Sequence, residues 1–255
     1  MPDFDAEDLG RRLAEARLNR TQLPASSVVA PPDVAGAVQA QAAFFRRCGA
    51  KVPGWKLGIG ADGLAVAAPL WPLVEAPGDA PIEWKPGMSV EVEIAARLGK
   101  DLTKPSGALY RRTDIIDAIE SLHLGVELLG SRFEPTSPAN FLLAYADMLG
   151  NDGYILGPAI PNSFLENLEQ KTLTIMADAK PFYSNLVKHP TVDPLAPIVA
   201  YANASHDLLG GLRAGQIVTT GSLCGGLPFP RASRLEIRIA DCGFSLNFSD
   251  TSTRS

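Results

Sequence analysis

Cysteine and histidine are scarce in this chain. Cys48, Cys224 and Cys242 stand far apart with no C-x-x-C spacing, and His123, His189 and His206 show no H-x-x-x-H spacing. That argues against a disulfide scaffold and against a zinc cluster, and it fits a reducing, cytoplasmic setting. Positive charge is in deficit: 23 Lys and Arg stand against 28 Asp and Glu, a net charge of −5. The chain therefore offers no general attraction to nucleic acid or to an anionic membrane, and an anionic ligand would need local cations. No apolar run approaches the roughly 20 residues of a membrane span. The opening MPDFDAEDLGRRL is acidic and polar, so no signal peptide is expected. Neither G-x-G-x-x-G nor G-x-x-x-x-G-K-[ST] occurs, which removes support for a Rossmann or P-loop nucleotide site. There is no internal repeat.

What is present is enough apolar material for a sizeable core, 46% of 255 residues, with 20% charged and no low-complexity tract. The organising stretch is Met88–Asp101, MSVEVEIAARLGKD. Val90, Val92, Ile94, Ala96 and Leu98 alternate with Glu91, Glu93, Ala95 and Arg97, so a strand would put both glutamates on one face. Such a pair is either the wet face of an ordinary strand or one side of a cation site, since two adjacent carboxylates repel unless a cation lies between them.

In chain order, Asp5 predicts a helix to Arg20, and Asp33 caps a second with Val34, Val38, Ala42 and Phe45 on one stripe. Gly54–Gly58, GWKLG, reads as a short strand with Lys56 opposite Trp55 and Leu57. Leu70–Val74 reads as an edge or a loop because Pro72 interrupts it. Thr113 should cap a helix carrying Ile115, Ile116, Ile119 and Leu122. Leu124–Arg132 reads as a strand with Glu127 alone in an apolar run, where a buried carboxylate needs a partner. His123 is expected on the face opposite Glu127, in packing. A helix is expected from Ser137-Pro138 to Met148, then a turn at Gly150–Gly153 and a short strand, Tyr154–Leu156. Later come a strand at Lys171–Ala177, a helix from Asp193 to Leu209, and strands at Gln216–Thr220, Leu235–Ala240 and Phe244–Phe248. The class is α+β: a mainly antiparallel or mixed sheet that rolls toward a barrel, flanked by helices, with a helical N-terminal extension. The expected division is 1–78, helical with the Lys56 strand, and 79–255, β-rich.

Glu91, Glu93 and Glu127 form a hard-oxygen set, suited to Mg²⁺ or Mn²⁺ rather than zinc or copper. About three positions of an octahedral ion would stay free for a 2-oxo or 2-hydroxy acid and a water.

The ordered segments G-W-K-L-G, V-E-V-E-I-A-x-x-L-G-K-D-L, V-E-L-L-G-S-R, A-D-x5-G-Y-I-L-G, H-P and A-G-Q-I-V-T-T-G-S carry a resemblance. From about Lys51 to Phe248 the chain resembles the 2-keto-4-pentenoate hydratase / 4-oxalocrotonate decarboxylase family of the fumarylacetoacetate hydrolase-like superfamily. The resemblance implies that superfamily's C-terminal β-fold, with Glu91, Glu93 and Glu127 as ligands of Mg²⁺ or Mn²⁺. It implies Lys56 and Asp147 as catalytic residues, with Lys56 beside the substrate carboxylate or enolate oxygen. Ser222 and His189 would line the substrate pocket, although a lone His is often a hydrogen-bonded structural residue. Arg132 is either a second carboxylate clamp or the ion-pair partner of a nearby acid. Cys224 is read as pocket wall, not nucleophile.

The implied activity is a metal-dependent hydratase that converts a 2-hydroxy-2,4-dienoate into a 4-hydroxy-2-oxo acid in aromatic catabolism. The alternatives are a 4-oxalocrotonate-type decarboxylase, an acylpyruvate-type C–C hydrolase, and a catalytically weak partner subunit associating with a related pathway enzyme. A homo-oligomer is the implied assembly. The chain departs from the family pattern at Met148, where Asn is common, at Asp152, where Gly is usual, and at Val187-Lys188. Ser89 replaces the histidine of the hydrolases, and Leu64–Val74 lacks the aspartate of many hydratases.

Overall fold

The computed structural model describes residues 3–60, 62–76, 81–103, 107–135, 140–204 and 210–250. Two capped helices begin it. The Asp5 carboxylate accepts from the N–H groups of Glu7 and Asp8 and starts α1 (Ala6–Asn19); Asp33 accepts from Gly36 N–H and starts α2 (Val34–Cys48). Gly49, at φ 62°, closes α2 in the left-handed conformation that glycine adopts without strain. Leu9 and Leu13 bury against Ala37, Ala40 and Phe44. The helices come close because Gly10 has no side chain: a Cβ there would overlap Ala40 O and the Ala43 Cβ.

The strands follow as β1 (Gly54–Ile59), β2 (Ala65–Pro69), β3 (Leu73–Glu75), β4 (Ile82–Trp84) and β5 (Ser89–Leu98). Next are α3 (Arg112–Ala118), β6 (Ile119–Leu129), α4 (Phe141–Ala146), β7 (Asn151–Ile160), β8 (Thr172–Ala177) and β9 (Lys180–Leu186). The chain finishes with α5 (Ala196–Asn203), β10 (Ile217–Ser222), β11 (Leu227–Pro228), β12 (Arg234–Ile239) and β13 (Cys242–Asp250). One sheet runs β2-β1-β10-β5-β6-β7-β3, with β11 also pairing β5; the second runs β4-β13-β12-β8-β9. Most pairs are antiparallel, while β1–β10, β3–β7 and β4–β13 are parallel. This is the curled mixed α+β architecture expected above. Val90, Val92, Ile94, Ala96 and Leu98 of β5 enter the main core with Leu124 and Val126 of β6 and with Leu173, Ile175, Leu235 and Ile237 of the second sheet. No helix among the described residues is long and apolar enough to cross a membrane.

Several expectations are corrected. The helix at Thr113 stops at Ala118; Ile119 and Leu122 belong to β6, whose long pairing with β5 and β7 outweighs their helical spacing. The helix toward Met148 is Phe141–Ala146, capped by Asn140, and the Ser137-Pro138 start lies outside the described residues. The one from Asp193 is Ala196–Asn203, and 205–209 lie outside the described residues, as does the 78/79 boundary. Tyr154–Leu156 is the middle of a strand of ten residues. Strands β2, β4 and β9 lay in stretches without alternation; β9 is an exposed edge that needs none. Leu73–Glu75 is an edge strand, as its proline suggested.

Gly10 gives a test in which two effects oppose each other. Helix propensity alone makes Gly10→Ala stabilising by about 1 kcal/mol, whereas overlap with Ala40 and Ala43 should cost about 1–3 kcal/mol. Urea unfolding of the variant should show a net loss; a gain would mean that the helices are not in this close contact.

Candidate metal centre

Antiparallel pairing of β5 with β6 places Glu91 directly across from Glu127 and Glu93 across from Gly125. Glu93, Glu91 and Glu127 therefore share one face, and one ligand atom from each lies within 4.8 Å of the others. Glu127 is fully buried and Glu93 is 2% exposed, so this is no solvated strand face. The cleared space over Gly125 holds Tyr154, which β7 delivers across from Glu127; a Cβ on Gly125 would overlap the Tyr154 hydroxyl.

Burial and mutual repulsion act together on these acids. Desolvation first, then the charge of Glu127, raises the pKa of Glu91 despite Lys56 nearby, and raises that of Glu93 well above the ordinary carboxylate range. Burial, then Glu93 and Glu127, pushes the Tyr154 phenol well up. Lys56 enters from β1, which reaches β5 through β10. Its Nζ donates to Glu127 Oε1 at 2.7 Å and to Leu149 O at 3.5 Å. Burial alone would lower the lysine's pKa, but Glu127, Glu93 and Glu91 outweigh it and hold the ammonium form.

When ionised, three carboxylates beside one ammonium leave two negative charges uncompensated. The buried polar atoms say the same in another way: Glu93 Oε2, Glu127 Oε2 and Tyr154 Oη all lack a hydrogen-bond partner. Each such atom costs on the order of 1–3 kcal/mol, more when charged. One carboxylate oxygen from each of three acids within 4.8 Å, two of the acids buried, fits a hard divalent cation, and the donor set is all oxygen.

The other expected site residues fall differently. Arg132 and Asp147, 3% and 1% exposed, are paired with each other through Arg132 Nε and Asp147 Oδ1. Asp147 Oδ2 also accepts from Arg132 N–H at 3.0 Å and from Ser131 Oγ at 2.9 Å. Of the two readings of Arg132, the ion-pair partner is the one the geometry displays. Burial raises the pKa of Asp147 despite the opposing effect of Arg132. Ser222 lies across from Glu93 on β10, and its Oγ accepts from Cys224 N–H at 3.4 Å. Burial raises the Cys224 thiol's pKa, and Gly226 backs onto Glu91, so the segment after Ser222 walls the cluster. His189 Nδ1 lies 2.9 Å from Thr191 O and its Nε2 3.3 Å from Thr220 Oγ1; burial lowers its pKa. The opposite-face expectation for His123 is corrected: it pairs with Ala95, in the same alternation as Glu127, and its ring is bonded to Ser121 Oγ and Gly157 O.

Three residues at the cluster were not singled out from the sequence. Tyr154 contributes an unpartnered hydroxyl, and Thr219 a hydroxyl beside the Glu93 carboxylate. Asn151 Nδ2 donates to Glu127 Oε1 at 3.0 Å. The N-D-G spelling around Asn151 is a turn signal and hides a residue that opens a strand.

No family model matches the chain, and no curated protein matches it by sequence. Among solved structures, 4-oxalocrotonate decarboxylase from Pseudomonas putida G7 complexed with calcium and acetate is similar with a TM-score of 0.73 and 18% identity, covering 96% of each chain. The same protein complexed with magnesium and adipate gives a TM-score of 0.71 and 18% identity, covering 96% of this chain and 97% of that one. The likeness establishes a shared fold over nearly the whole of both chains.

If the cluster takes a divalent cation, Mg²⁺ or Mn²⁺ at about 100 times its Kd should add about 2.7 kcal/mol to stability. That rise in melting temperature should vanish in Glu91→Gln and in Glu127→Gln. A parent protein whose melting point ignores both ions contradicts the assignment.

Proposed function

We propose that the chain is a divalent-metal-dependent lyase acting on a small anionic 2-oxo or 2-hydroxy unsaturated acid, with CO₂ loss from a 2-oxo-3-enedioate as the leading reaction. The observation that carries this is the convergence of Glu91, Glu93 and Glu127, with buried free oxygens, beside the Lys56 ammonium. Glu91, Glu93 and Glu127 would hold the ion. A bound Mg²⁺ or Mn²⁺ supplies a Lewis acid that stabilises negative charge on a 2-oxo oxygen.

Lys56 adds a fixed cation next to that charge and favours the electron-rich form of the substrate over its neutral precursor. In decarboxylation the bond from C5 to the terminal carboxylate breaks, and its electron pair shifts through the conjugated carbons to the C2 oxygen. No further acid is needed for that step. This agrees with β2, the strand beside Lys56, which is Ala-Val-Ala-Ala-Pro and brings no carboxylate. Ser222, across from Glu93, would bind a substrate oxygen. The likeness to a fold neighbour solved with magnesium and the six-carbon diacid adipate supports a dianionic substrate.

Hydration of a 2-hydroxy-2,4-dienoate is the second reading. The free hydroxyl of Tyr154 favours it, because a buried site with an unpartnered donor can hold a water.

Assays with Mg²⁺ or Mn²⁺ decide between the two. The leading reading expects CO₂ and a dienoate from 2-oxohex-3-enedioate; hydration expects a 4-hydroxy-2-oxo acid from 2-hydroxypenta-2,4-dienoate. Lys56→Met should lower turnover by about 100-fold or more. Turnover of neither acid by metal-loaded protein removes the lyase assignment.

A further inference from the structure

Between α4 and β7 three successive residues, Met148, Leu149 and Gly150, take left-handed φ values of 53°, 52° and 77°. For the two that carry side chains this costs about 1 kcal/mol or more each, and it persists only where the surroundings impose it. Arg132 imposes it here. One guanidinium nitrogen donates to Asp147 O, just before the turn, and another to Asn151 O, just after it, so Arg132 brackets the turn at both ends. The Asp147 carboxylate holds Arg132 in return, and Met148 is buried among the residues packed on the helix pair.

The turn delivers two groups to the carboxylate cluster. Leu149 O faces Lys56 Nζ, and the Asn151 amide faces Glu127. The amide is held in one orientation, because Asn151 Oδ1 accepts from Trp71 N–H at 2.8 Å. Rotated by half a turn, it would set its oxygen against the Glu127 carboxylate and its NH₂ against another N–H. Trp71 is itself wedged against Phe44 and Phe45 of α2, with ring centroids 5.8 and 6.1 Å away. Glu127 Oε1 thus receives both Lys56 and Asn151, while Oε2 is buried and receives nothing.

We propose that Asn151 is a positioning residue that divides the roles of the two Glu127 oxygens, Oε1 to protein donors and Oε2 to a divalent cation. The turn clamped by Arg132 and Asp147 sets its reach. The inference rests on the proposed metal-dependent reading of this site. Arg132 and Asp147 then act through the turn, without touching substrate.

Hydrogen-bond partners of ligating side chains typically govern 10–100-fold in metal affinity. Calorimetric titration of the full chain with Mn²⁺ should therefore show Asn151→Ala binding about 10-fold or more weakly than the parent. Arg132→Lys should weaken binding in the same direction. A merely structural Asn151 would lower the melting temperature of the metal-free protein and leave Mn²⁺ affinity within about twofold, which overturns the inference. Should Asn151→Ala not fold, Asn151→Ser, with a polar side chain too short to reach Glu127, is read in the same way. A parent that binds no Mn²⁺ removes the proposed function and this inference together. A parent and an Asn151→Ala variant that bind it equally well remove the inference alone.

Discussion

Carboxylates forced together in a largely buried place are the constraint around which the molecule is arranged. Cross-strand pairing sets Glu91 against Glu127, and strand periodicity adds Glu93 on the same face. Two carboxylates facing each other should push β5 and β6 apart. They are kept together by a ladder longer than any other among the described residues and by the buried apolar set on the far side of β5. The enclosure that makes the repulsion costly also limits its screening by water, so the cluster's field remains strong toward a cation.

The helical N-terminal region serves this arrangement from a distance. Its aromatic residues press on Trp71, and Arg17 pairs with Asp152. Trp71 and Asp152 stand on either side of Asn151, one through a hydrogen bond and one through the chain. A pair of helices that never meets the carboxylates thus braces the residue that contacts one of them.

How much of this could be read from the sequence depended on whether a feature was local. The caps at Asp5 and Asp33 and the alternation in β5 are written in neighbouring residues, and so is the oddity of Glu127 in an apolar run. The three acids are therefore visible as a set in the sequence itself. Features that depend on distant pairing were not visible. Ile119 and Leu122 carry helical spacing, but β6 takes them because strands wait on both sides. Strand β9 shows no alternation because neither of its faces is buried. Arg132 allows two readings, since its partner Asp147 lies fifteen residues along the chain, beyond α4. Asn151 spelled a turn and turned out to open a strand.

The empty position at Gly125 has a consequence for how such a site diversifies. The room beside Glu93 exists because one strand contributes no side chain there, and the ring of Tyr154 occupies it. Size at this point is thus a two-residue property: the glycine sets the ceiling and the tyrosine determines how much of it is filled. A lineage that trimmed the tyrosine while keeping the glycine would open new volume beside the acids without moving a strand. One that replaced the glycine first would have nowhere to put the ring. The order in which those two positions change is therefore constrained, and the permitted route leads toward larger occupants.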